Sequence, residues 1–161
     1  MSLLLGAAIL GAWLNSFHAP FVFDDTASIV ENVSIRQLGS SAWLNPPHAL
    51  GETVGGRPVL NFTFALNYAV SGLSVWSYHA LNLAIHFGAA LLLWSVLRRI
   101  SAVGDGVAIA AALLWAVHPL QTASVTYVVQ RAESLAAFFV LLTLYAFLRY
   151  ATEQAQRARW A

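Results

Sequence analysis

Residues 78–97, YHALNLAIHFGAALLLWSVL, run for twenty positions without an acid, a lysine or an arginine and stop at Arg98-Arg99. At about 1.5 Å per residue a helix of that length measures about 30 Å, the hydrocarbon thickness of a bilayer. The stretch predicts a transmembrane helix. It makes the chain an all-α integral membrane protein, because a helix satisfies its own backbone polar groups in lipid.

Composition extends that reading outward. Of 161 residues, 59% are hydrophobic and 9% charged, against about 25% charged in an ordinary soluble domain. Eight arginines and seven acids are too few to coat a water-facing surface. The net charge is +1, lysine is absent and the arginines are scattered, so no nucleic acid partner is expected. Cysteine is absent too, which removes disulfides, thiolate nucleophiles and Cys-bound metals.

Three further apolar runs flank the first. Residues 132–150 carry no charge between Leu135 and Leu148 and end at Arg149. Residues 101–119 contain the apolar run Val107 to Val117, and residues 2–19 are apolar from Leu3 to Leu14. Together they predict about four transmembrane helices in a single membrane domain, 1–161. The first run also has the length of a signal-peptide core, but no basic residue precedes it and no small-x-small cleavage site follows. It reads as an incomplete first span.

Basic residues near span ends stay cytoplasmic. Arg98 and Arg99, and then Arg149, Arg157 and Arg159, mark the inner side. Outer loops 20–77 and 120–131 then share the opposite side, and any chemistry common to both happens there. Within the first outer loop, Asn45-Pro46-Pro47 and Gly55-Gly56-Arg57-Pro58 are breakers. Ser41 to Leu44 and Pro58 to Val70 predict interfacial amphipathic helices, with Pro58 suited to a first helical turn.

Asp24 and Asp25 follow the apolar Phe21-Val22-Phe23. A carboxylate pair at a membrane surface can bind a divalent cation or act as a general base towards a hydroxyl. The plainer reading is that these acids cap the next helix. On the first-quoted span, His79, Asn82 and His86 fall within about 60° on one helical face, which predicts helix-to-helix hydrogen bonds for Asn82 and His86 and a reach towards the loop layer for His79. Arg131 and Glu133 are two apart and cannot pair on one face. Arg131 and Arg57 each suit a phosphate or simply extend to the interface. Asn32-Val33-Ser34 and Asn61-Phe62-Thr63 match the glycosylation pattern, which is common by chance. The histidine spacing supports no zinc site.

Several ordered blocks together carry a family resemblance: Phe21 to Asp25, Ile29 to Asn32, Gly56 to Asn61, Tyr78 to His86, His118 to Thr122 and Tyr127 to Leu135. They resemble the N-terminal part of bacterial membrane proteins with C-terminal tetratricopeptide repeats, similar in turn to the transmembrane O-mannosyltransferases with such repeats. The resemblance covers nearly the whole chain. It implies a GT-C-like fold in a bacterial inner (cytoplasmic) membrane, with active-site loops in the periplasm. The implied activity is that of a glycosyltransferase, with a polyprenyl-phosphate sugar donor and a protein or glycan acceptor. By the same resemblance Asp24 or Asp25 is the catalytic acid; Mg or Mn is the cation that the carboxylate pair, on its own chemistry, could hold. Arg57, His79, His118, Arg131 and Glu133 would line the donor phosphate or the acceptor. The family often has an acid after His-Pro-x-Gln-Thr, where this chain has Ala123. It also continues through further spans and repeats, so the chain reads as a fragment.

Two other function classes compete. A non-catalytic membrane anchor or assembly scaffold would keep the shape without the chemistry. A small transporter subunit is weaker, since no inverted repeat is visible.

Overall fold

The computed structural model describes residues 1–47, 53–100 and 104–158, with side chains described as far as Gln154. No strand occurs among the described residues. The helices are α1 (Ser2–Trp13), α2 (Pro58–Ser71), α3 (Trp76–Leu97), α4 (Asp105–Ala116), α5 (Thr122–Thr126) and α6 (Arg131–Ala158). Short turns of helix link them, among them Leu14–His18, Ser41–Leu44 and Pro119–Gln121.

The central element is α3, with α1, α4 and α6 packed along it. Two apolar clusters hold the bundle. One joins Leu5, Ile9 and Trp13 of α1 to Leu83 and Ala90 of α3 and to Ile109 and Ala112 of α4. The other lies at the opposite end and joins Ile29 and Ile35 to Leu60 and Phe64 of α2, Tyr78 of α3, and Val128 and Val129. Close approach of α6 depends on Gly88, where an added Cβ would stand 2.9 Å from Phe138 Cε2. Small residues at such crossings let membrane helices pack backbone to backbone. Leu3, Leu114, Val140 and Phe147 face out of the bundle, exposed, as lipid contact requires.

The span count is lower than the four expected. Among the described residues two helices are long and apolar enough to cross a membrane, Trp76–Leu97 and Val128–Gln154, and a third only if a bent pair is taken as one span. The N-terminal helix is too short: twelve α-helical residues cover about 18 Å before the chain tightens into the turn Leu14–His18. The span expected at 101–119 is broken, with Asp105–Ala116 and Pro119–Thr126 bent by 50°; its first residues, 101–103, lie outside the described residues. The break has a local cause. Proline lacks an N–H and disfavours helical backbone in the residue before it, and His118 is extended at ψ 135°. The Leu120 N–H donates to His118 Nδ1 at 3.2 Å instead of reaching Ala116. The freed Ala116 carbonyl accepts from Trp13 Nε1 at 3.1 Å and from His86 Nε2 at 2.8 Å. A helix end stopped inside the bundle is thus satisfied from α1 and α3.

Both helices expected in the first outer loop are present, as Ser41–Leu44 and α2, with Pro58 in the first turn. The inward face of α2 is mixed, with polar groups buried beside apolar ones. The helix buries Asn61 and Asn67 with Leu60 and Phe64 and exposes Val59, Leu66 and Val70. A helix with polar groups inward and apolar groups outward is built for an apolar surround.

Met1, Arg98 and Asp105 gather at one end of the bundle, where Arg98 Nε meets Asp105 Oδ1 at 2.9 Å. The two loops meet at the other end. Of the arginines used for orientation, Arg159 and the side chain of Arg157 lie outside the described residues.

Candidate functional site

The Asp24-Asp25 pair is split by its backbone. Phe23, just before it, sits at φ 45°, a left-handed conformation that a bulky residue adopts only under constraint. From there Asp25 turns inward and is fully buried, whereas Asp24 is exposed. The two Asp25 oxygens are each engaged: Oδ2 accepts the Val22 N–H at 3.0 Å and Oδ1 accepts the Val129 N–H at 2.7 Å. Burial raises the Asp25 carboxyl above its ordinary value. The two N–H groups and the positive charge of Arg131 oppose that shift, and the nearby Asp24 adds to it. The capping reading does not hold for Asp25, whose side chain makes no bond to the turn that follows. It ties the first loop to the second.

A cation shared by the pair fits poorly. Asp25 has no exposed oxygen, and no group of three or more His, Cys, Asp or Glu suited to a metal occurs among the described residues. Asp24 alone offers a free carboxylate there.

Arg131 is where the structure departs furthest from expectation. Its guanidinium is fully buried and bonded wholly to protein: Nε to Asn82 Oδ1 at 2.6 Å, Nη1 to Thr63 Oγ1 at 3.0 Å and Asn67 Oδ1 at 2.8 Å, Nη2 to the Tyr78 carbonyl at 2.9 Å. The Phe64 ring lies 4.6 Å away. Among the described residues no carboxylate contacts it, and four neutral acceptors and an aromatic face stand in place of a counter-ion. A phosphate cannot reach a guanidinium sealed in this way. The polar face of α2 exists to supply Thr63 and Asn67 to it.

His79 is likewise buried, and its Nε2 donates to the Ala19 carbonyl at 2.9 Å. It pins the end of the first apolar segment instead of reaching into the loop layer. Asn82 and His86 make the helix-to-helix bonds expected of them: Asn82 Nδ2 donates to the carbonyls of Val125 and Val128 at 3.3 and 3.4 Å, and His86 stacks on Trp115 while holding Ala116. Arg57 is exposed, with Nη1 donating to the Thr53 carbonyl at 2.7 Å. His118 is exposed and caps its own turn. Glu133 is exposed beside a small crevice shared with Gln121, Ser124 and Ser134. Among the described residues no hydrogen bond or ion pair joins Arg57, His118 or Glu133 to Asp24.

One residue at the junction was not singled out from the sequence. Tyr127 accepts the Asp24 N–H through Oη at 2.9 Å. Its signal was faint: a tyrosine five residues before the span at 132–150, separated from the aspartates by about a hundred positions.

No family model matches the chain, and no solved structure matches it. Curated proteins do. The protein O-mannosyl-transferase TMTC3 of Homo sapiens is 33% identical over 157 residues, 93% of this chain and 16% of its own length. TMTC2 of Homo sapiens is 30% identical over 161 residues, 93% of this chain and 19% of its own. Tmtc2 of Drosophila melanogaster is 33% identical over 146 residues, 86% of this chain and 16% of its own. The chain therefore spans less than a fifth of the length of these relatives. Over most of its own length, this all-helical membrane chain is similar to a segment of the TMTC-type protein O-mannosyl-transferases.

Proposed function

We propose that the chain forms the acid-bearing part of a GT-C-type glycosyltransferase, which moves a sugar from a polyprenyl-phosphate-linked donor to a hydroxyl of a protein or glycan acceptor. The observation that carries this reading is the division between the aspartates. Asp25 is sealed and binds the two loops together, while Asp24 stands exposed at their junction with a free carboxylate. In the proposed step that carboxylate takes the proton of the acceptor hydroxyl as its oxygen attacks the anomeric carbon. The bond from that carbon to the phosphate oxygen breaks, and polyprenyl phosphate leaves with the bonding pair.

A site at the end of a membrane bundle suits a donor whose carrier stays in the bilayer while its head group reaches the loops. The relatives, named as protein O-mannosyl-transferases, support mannose as the sugar and protein as the acceptor. Arginine placement supports the non-cytoplasmic side, periplasmic in a bacterial inner membrane.

The test uses the full natural chain in detergent, with labelled mannose on polyprenyl phosphate as donor. Asp24→Asn should lower transfer by about a hundredfold or more, the usual range for a lost general base, without lowering the melting temperature. Undiminished transfer in that variant would sink the assignment. The scaffold reading is favoured by Ala123, which is exposed where the family resemblance leads one to expect an acid; absence of donor binding and turnover by the wild type would decide for it.

A further inference from the structure

Two hydrogen bonds clamp consecutive residues of the first loop onto the second. The Asp24 N–H donates to Tyr127 Oη at 2.9 Å, and Asp25 Oδ1 accepts the Val129 N–H at 2.7 Å. Phe23, the residue before the clamp, is the only non-glycine with positive φ among the described residues. Its ring is 85% exposed, so burial does not hold it there. It meets the Tyr127 ring edge-on, with centroids 6.4 Å apart and planes at 79°. A bulky residue in left-handed backbone persists only where its surroundings over-determine it, and such strain gathers at functional sites. Here the surroundings are Tyr127 and the buried Asp25. Release of the Asp24 peptide would let Phe23 relax to negative φ and swing the Asp24 carboxylate away.

We propose that Tyr127 is a positioning residue for Asp24: its hydroxyl fixes the Asp24 peptide in the turned-out conformation that presents the carboxylate to the acceptor hydroxyl. The inference rests on the reading of Asp24 as the base. The Tyr127 hydroxyl accepts one bond and donates none among the described residues, so its proton stays open to a bound ligand. Burial raises the Tyr127 phenol, as do the charges of Asp24 and Asp25, against the opposing Asp24 N–H. It therefore remains a neutral hydroxyl at neutral pH.

The experiment compares Tyr127→Phe with Asp24→Asn in the full natural chain, with polyprenyl-phosphate mannose as donor. Tyr127→Phe keeps the ring and removes only the hydroxyl. The expected result is a fall in kcat of about tenfold or more, as small misplacement of a reacting group produces, with the donor KM and melting temperature retained. Wild-type kcat in Tyr127→Phe beside an inactive Asp24→Asn overturns the positioning role and leaves the role of Asp24 standing. Full activity in Asp24→Asn overturns both. A change in KM and melting temperature with kcat intact also overturns the proposal, because that is what a merely structural hydroxyl would give. Phe23→Ala, which keeps a side chain strained at positive φ and removes only the ring contact, gives an independent reading should Tyr127→Phe fail to fold. Without the ring contact the Asp24 turn loosens and kcat falls at constant KM; unchanged kcat there counts against the proposal.

Discussion

The Nε of Arg131 lies 2.6 Å from Oδ1 of Asn82, and that bond joins the two long spans, α6 and α3, at the level of the loop layer. The same guanidinium holds α2 through Thr63 and Asn67, and Asn82 in turn holds the carbonyls of Val125 and Val128. Val129, next along, supplies the N–H that fixes Asp25. A short path of hydrogen bonds therefore leads from the buried arginine to the buried Asp25, the residue next to the exposed Asp24.

Arg131→Met should destabilise the fold by about 3 kcal/mol, since it strands several buried acceptors at once. Arg131→Lys should be nearly as damaging, because an ammonium cannot reproduce the planar fork that reaches Asn82, Asn67 and Tyr78 together. Thermal unfolding in detergent measures both. A ligand-binding arginine would behave otherwise: Arg131→Lys would stay folded and raise the donor KM.

Burial explains which parts of this were legible in the sequence. The apolar run of α3 and the breaker before Pro58 each depend on neighbours in the chain, and both appear where local patterning places them. The stripe of His79, Asn82 and His86 was visible as a face, and so was the helix-bonding use of Asn82 and His86, but not the bond from His79 to the Ala19 carbonyl. What could not be seen was depth. Arg131 and Asp25 look like surface charges at a span end, and only tertiary packing reveals that each is sealed among groups tens of residues away. The bend after Ala116 was hidden for a similar reason. Val107 to Val117 joined to His118-Pro119 reads as one long apolar run, and the carbonyl that tolerates the break is satisfied from α1 and α3.

That shared carbonyl makes a sharp energetic expectation. Trp13→Phe and His86→Leu each remove one donor to Ala116 and should cost about 0.5 to 1 kcal/mol, the usual worth of a hydrogen bond between membrane helices. The double variant should cost more than the sum, because only then is the carbonyl an orphan. Additive unfolding free energies in the four-member cycle would contradict the shared-acceptor geometry.

Gly88→Ala should destabilise the α3–α6 contact by about 1 to 2 kcal/mol, the range for overpacking a close-fitted site. The new methyl would stand 2.9 Å from Phe138 Cε2, so the ring or the helix must move. Phe138→Leu in the same chain should recover part of the loss. Equal melting temperatures for wild type and Gly88→Ala would show that α6 does not approach so closely.

Stability should also carry an unusual pH signature from Asp25. Its carboxyl is raised above 3.8 in the folded protein, chiefly by burial, so between that value and the folded one the native state binds more protons than the unfolded chain. By linkage, the contribution of this group to stability is fully present below the unfolded pKa and declines as pH rises through the folded pKa. Most carboxylates held by N–H donors act in the opposite sense, gaining stability above their unfolded pKa. Asp25→Asn does not titrate, and it places an amide N–H₂ against one of the two N–H groups that now donate to the carboxylate, so it should be less stable at acidic pH. The gap between it and the wild type should narrow as pH climbs from about 3.8 towards neutrality. Melting temperatures of the two proteins across that window provide the measurement, with Asp24→Asn as a companion whose slope should be shallower, because it removes the neighbouring charge that adds to the Asp25 shift. A gap that widens with pH would mean that the Val22 and Val129 donors outweigh burial and hold the Asp25 carboxyl low.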